Sequence, residues 1–118
     1  MSIEQAVRQC YVKNTERGIL YQLKDNFPAF NGHFEGHPLL PAVCQISFCA
    51  DALSRITNKP MQVKAVKRAK FMNPSLPDSF IEVRLTVRPD SFYSAELANP
   101  QEDKILSRLI LQFTEIPQ

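Results

Sequence analysis

Both histidines of the chain fall in one short stretch, GHFEGHPLLP, Gly32 to Pro41, with a glutamate between them. Imidazole titrates near neutrality, so a histidine here could take or give a proton. A lone loop histidine is more often hydrogen-bonded to backbone, so residue type alone decides little. His33, Glu35 and His37 would number enough ligands for a catalytic zinc. The prolines and the helix that follows explain the stretch without one, so no metal and no cofactor is expected. Pro41 suits a first helical position, where a missing N–H costs nothing. The first N–H groups available at that helix start are then those of Ala42 and Val43, and helix N-termini stabilise developing negative charge. Further on, Ser47, Asp51 and Ser54 share one helical stripe at about 100° per residue. Serine as a nucleophile would need a base in reach, and the chain has no G-x-S-x-G elbow. Cys44 and Cys49 read as small buried apolar groups rather than reactive thiols.

These residues need elements to hold them. QCYVKN (Gln9 to Asn14) and GILYQLKD (Gly18 to Asp25) read as a hairpin closed by TERG, after a short polar start. The loop NFPAFNGHFEGHPLLP follows, its prolines and glycines forbidding a long regular element. The spacing predicts a helix over about 41–56, with Val43, Cys44, Ile46, Phe48, Cys49, Ala50 and Leu53 around most of its surface. A helix so apolar must be wrapped on most sides. Strands in MQVKAVKRAKFM, SFIEVRLTVRP, SFYSAELAN and KILSRLILQFTEI supply the wrapper. In SFIEVRLTVRP, Ile81, Val83, Leu85 and Val87 alternate with Glu82, Arg84, Thr86 and Arg88. The expectation is α+β: two strands, one long buried helix, then four strands in an antiparallel meander, in one domain over 1–118.

A net charge of +2 is too slight to argue for nucleic acid. No apolar run reaches the length of a membrane span, and MSIEQAVRQC has no signal-like apolar core. Three cysteines without a C-x-x-C pair suit a reducing compartment, so a cytoplasmic location is expected. The run Lys64, Lys67, Arg68 and Lys70 could be a solvated strand face or a docking place for an acidic or phosphate-bearing partner.

GHFEGHPLLPAVCQIS resembles the G-H-F-P-x-x-P-x-x-P-G-V signature of hot-dog fold 3-hydroxyacyl-(acyl-carrier-protein) dehydratases. Gly32, His33, Phe34, Pro38, Leu40, Pro41 and Val43 carry the match. Pro77-Asp78-Ser79 stands where that family has a Pro-Gly-Asp turn, and LPAVCQ is most similar to the aryl-polyene, ApeI-like branch. The resemblance implies a sheet of about five to six strands curled around one central helix. It implies an acyl carrier protein or coenzyme A thioester as partner, and a homodimer or higher homo-oligomer, because the fold leaves an edge strand to pair. It places Phe34, Gly36, Pro41, Ala42 and Val43 around the substrate.

Dehydrating a 3-hydroxyacyl thioester removes a proton from the α-carbon and releases the β-hydroxyl as water. The resemblance makes His33 the base and assigns carbonyl polarisation to the N–H at Ala42, where the family has glycine. Glu35 replaces a proline. The family's helix carboxylate, fourteen residues after the histidine, is here Ser47. Loss of acid assistance is worth about 10²–10⁴ in rate, or roughly 3–5 kcal/mol. Asp51, one turn on, could act through a water or through Ser47; His33 could shuttle the proton; or a partner subunit could bring the acid. The alternatives are a weakly active or non-catalytic acyl-binding subunit of a mixed oligomer, and an acyl thioesterase.

Overall fold

The computed structural model describes residues 2–28 and 40–117. His33, Phe34 and Gly36 lie outside them, as do Glu35 and His37. The chain opens with a helix, α1 (Ile3–Gln9), where only a polar start was expected. Its signal was in the sequence. Ser2 and Gln5 form a reciprocal capping box, with Ser2 Oγ accepting from Gln5 N at 3.1 Å and Gln5 Oε1 accepting from Ser2 N at 2.9 Å. Ala6 and Val7 are buried, anchoring α1.

Then come β1 (Tyr11–Asn14), β2 (Ile19–Gln22), α2 (Ala42–Thr57), β3 (Met61–Phe71), β4 (Phe80–Val87), β5 (Tyr93–Asn99) and β6 (Lys104–Glu115). The expected central helix is present within one residue at each end. Pro41, however, is its N-cap rather than its first helical residue, with an extended ψ of 153°. The helix stops at Asn58, whose left-handed φ of 56° ends the helical run before Pro60.

The strands form one antiparallel sheet in the order β1-β2-β4-β5-β6-β3, which is the α+β hot-dog arrangement. The expected simple meander is corrected in one respect. β3 does not pair with β4; it crosses to the far edge and pairs with β6, while β4 pairs with β2. The connections explain this. β4–β5 and β5–β6 are tight hairpins, but β3 and β4 are joined by eight residues, 72–79, holding Pro74 and Pro77. That segment is tied across the sheet's end by Leu40 N to Ser75 O at 3.2 Å and Leu23 N to Ser79 O at 2.9 Å.

The inner sheet face and α2 share one core. Phe48 packs edge-on to Tyr21 at 4.9 Å between ring centres and stacks on Phe27 at 5.9 Å. Cys44, Cys49, Ala52, Ile81, Val83, Leu97 and Leu109 complete it. Burial pushes the Cys49 thiol up to about 12 and raises Cys10 and Cys44 as well. All three are therefore packing groups. A buried polar pair also sits here: Ser107 Oγ donates to Gln45 Oε1 at 2.8 Å, pinning α2 to β6. Two expectations of apolar burial fail. Val43 is 68 % and Val87 70 % exposed, because both lie where the wrapper ends. Glu82, placed on the outer face by its alternation, is nonetheless buried.

Candidate active site on the central helix

α2 begins without a side-chain cap, since proline has no acceptor to offer. The N–H groups of Ala42 and Val43 thus head the helix, as expected, and carry the positive end of its dipole. Cys44 N and Gln45 N bond Pro41 O at 3.1 and 3.3 Å.

The polar stripe is real. Ser47, Asp51 and Ser54 line one groove of about 450 Å³, together with Val43, Ile46 and Ala50 of α2. α1 and the first residues of β3 form its other walls. What the three residues do there differs. Ser54 is structural: its hydroxyl donates to Ala50 O at 2.8 Å and accepts from Met61 N at 2.9 Å, clamping α2 to β3. Ser47 donates back to Val43 O in its own helix at 3.3 Å.

Asp51 is held from two sides. Its Oδ2 accepts from the Tyr21 hydroxyl at 2.6 Å and from Arg55 Nε at 2.7 Å. Among the described residues none donates to its other oxygen. The Tyr21 side chain is fully buried. Burial first, and then the Asp51 charge, drive its phenol well above the usual range, so it stays a donor. Arg55 in turn lies 3.9 Å over the Tyr11 ring and reaches Arg8 O at 3.4 Å. Neither Tyr21 nor Arg55 was singled out from the sequence. The Asp51–Arg55 pair was legible as an i,i+4 match; Tyr21, thirty residues away, was not.

A second charged cluster occupies the outer face of the sheet. Arg84, Glu96, Arg108 and Lys70 stand in one row across β4, β5, β6 and β3. Glu96 bridges Arg84 at 2.9 Å and Arg108 at 3.1 Å, and Arg84 also holds Glu82 at 2.7 Å. From the basic run expected on β3, Lys67 is drawn away to Asp90 at 3.3 Å and onto the Phe92 ring.

Comparison with known proteins fits this architecture. The family model described as ApeI dehydratase, ApeI-like, matches residues 9–107. The chain is 31 % identical over 70 residues to the 3-hydroxyacyl-[acyl-carrier-protein] dehydratase FabZ of Wolbachia sp. subsp. Drosophila simulans. It is 39 % identical over 72 residues to the FabZ of Campylobacter fetus. Those alignments cover 53 % and 49 % of this chain, and the chain spans about half the length of these relatives, 49 % and 48 %. Among solved structures, the dehydratase heterocomplex ApeI:P from Xenorhabdus doucetiae superposes with a TM-score of 0.73 at 17 % identity, covering 87 % of this chain and 95 % of that one. The PaaI protein of the E. coli phenylacetic acid degradation operon superposes at 0.62 and 12 %, covering 97 % and 89 %. Such low identities establish the shared fold. The match over 9–107 establishes more: this chain belongs to the ApeI-like dehydratase family.

Proposed function

We propose that the protein dehydrates a 3-hydroxyacyl thioester carried by an acyl carrier protein or coenzyme A. The observation that carries this reading is the family match over 9–107, which includes the histidine motif, the helix start and the sheet behind it. The uncapped start of α2 supports it, since Ala42 and Val43 offer N–H donors to a carbonyl on which negative charge develops. His33 takes the α-proton in this reading, with Phe34, Gly36 and Pro41 shaping the thioester's surroundings. The leaving hydroxyl needs a proton, and Ser47 cannot supply one with carboxylic strength. Asp51 is the carboxylate on the same stripe. Tyr21 and Arg55 hold one of its oxygens, and the other can hold a water that passes the proton taken up by His33 on to the leaving hydroxyl, so that one proton is removed and one delivered. A second copy is proposed to pair along β3, an eleven-residue edge strand, and to close the groove beside the exposed Val43 and Ile56.

The test is incubation with 3-hydroxyacyl carrier proteins of several chain lengths, reading loss of water by mass spectrometry. His33→Ala should lower the rate about 10²–10⁴-fold, and Ser47→Glu should raise it. No turnover at any chain length, or a His33→Ala protein as active as the wild type, defeats the proposal.

A second reading is favoured by Ser47, whose hydroxyl is turned back on its own helix. Here the chain is an acyl-binding subunit that a catalytic homologue completes, in the manner the name of the Xenorhabdus heterocomplex suggests. Copurification of a second hot-dog chain from native cells would favour it; a pure, active homo-oligomer would exclude it.

A further inference from the structure

The outer face of the sheet carries a concavity of about 680 Å³. Its walls include Arg17, Arg68, Lys70, Arg84 and Arg108, with Thr86 and Ser94 lining the same space. The register explains the hollow. The row Arg84–Glu96–Arg108–Lys70 is long-chained and charged, whereas the next row, Thr86–Ser94–Ile110–Arg68, is short in the middle. Arg17 arrives from the β1–β2 turn. It can do so because Gly18 lies flat against β4: a Cβ there would stand 1.9 Å from Val83 O and 3.3 Å from the Arg84 Cα.

The charges are distributed unevenly. Five bases face Glu96 and its neighbour Glu82, an excess of three on a chain whose total is +2. The ion pairs occupy Arg84 and Arg108. Among the described residues, Arg17, Arg68 and Lys70 have no carboxylate partner. Opposite-facing residues of these strands, such as Leu97 and Leu111, lie in the core. The hollow is therefore on the far side of the sheet from the helix groove.

We propose that this hollow is a binding site for a small phosphorylated ligand bearing two or more negative charges, of the pyrophosphate or nucleoside diphosphate class. Guanidinium groups match phosphate oxygens in pairs, and the Thr86 and Ser94 hydroxyls add neutral donors. Glu96 fixes Arg84 and Arg108 in place, so part of the ordering is done before the ligand arrives. The volume falls in the range of small-molecule sites, about 300–1,000 Å³. The site does not depend on the dehydratase reading.

Titration calorimetry on the full chain, with pyrophosphate, ADP and coenzyme A as separate probes at low and physiological salt, tests it. Binding should weaken with salt and fall roughly tenfold or more in Arg68→Glu/Lys70→Glu. Amide resonances of Thr86 and Ser94 should shift on addition of pyrophosphate. Equal affinity for pyrophosphate and ADP assigns recognition to the phosphates alone; tighter ADP or coenzyme A adds a nucleoside contact. Should the double variant fail to fold, Arg17→Ala, in an exposed turn, replaces it with the same expectation of weaker binding. The proposal is overturned if none of the probes binds at millimolar concentration. It is likewise overturned if the variants bind as the wild type does, or if only an acidic polypeptide binds.

Discussion

Two clusters of carboxylate and guanidinium lie on opposite sides of the same sheet, and they do different work. In the inner one, Asp51 joins a fully buried tyrosine to Arg55, whose guanidinium is sandwiched against Tyr11. In the outer one, Glu96 joins Arg84 to Arg108 at a face open to solvent. Both use charge-assisted hydrogen bonds of similar length. Their ends separate them: the inner cluster includes the fully buried Tyr21 hydroxyl, and the outer one ends on the exposed Arg108. Removing the acceptor of a buried donor such as the Tyr21 hydroxyl strands it, whereas water replaces a lost surface partner at small cost. The inner cluster therefore fixes the fold around the candidate site. The outer one is free to hold its charges ready for something else.

Asp51→Ala is the sharpest way to break this contrast. It leaves the buried Tyr21 hydroxyl without its acceptor and Arg55 without its ion pair, and should lower stability by about 2–3 kcal/mol. Tyr21→Phe keeps the Asp51–Arg55 pair and should cost only about 1 kcal/mol. Urea unfolding of both variants measures this, and the reverse order would show that the network is not centred on Asp51. Gly18→Ala should follow at about 1–3 kcal/mol, since the new methyl meets backbone that cannot move away. The same variant should displace Arg17 from the outer hollow, which NMR shifts around Arg84 would register.

Glu96→Gln should have the smallest effect at neutral pH, under about 1 kcal/mol, because Arg108 is exposed and Arg84 keeps its pair with Glu82. Its signature is in the pH profile. Burial works against the charged form of Glu96, yet the hydrogen bonds from Arg84 and Arg108 hold its carboxyl below the ordinary 4.5. A carboxylate depressed in the folded state contributes stability above its unfolded pKa, and that contribution is lost as pH falls through the folded value. Wild type should thus lose stability below about pH 4.5 more steeply than Glu96→Gln. Parallel acid limbs in the two proteins would mean that Glu96 gains nothing from its two arginines in the fold.

Much of this was legible beforehand, for local reasons. The stripe Ser47–Asp51–Ser54 follows from helical periodicity, and the structure brings all three to one groove. The strands of the second half follow from alternation bounded by Pro, Asn and Asp. The strand order did not follow, because alternation says which face a residue takes but not which strand lies beside it. The path of residues 72–79 decided that. α1 was missed although Ser2 and Gln5 announced it, since a seven-residue helix offers little periodicity to read. His33, on which the proposed chemistry turns, lies outside the described residues.

The sequence by itself displayed the family motif, the central helix, and a serine fourteen residues after His33. These depend on residue identity and short-range spacing, which a linear chain displays directly. Only the tertiary structure decided that Asp51 is held by Tyr21, that Ser54 is a clamp, and that Arg17, Arg68, Lys70, Arg84 and Arg108 converge on one hollow. Those pairings join residues far apart in the chain. They are set by which strands neighbour one another and by which groups folding leaves dry.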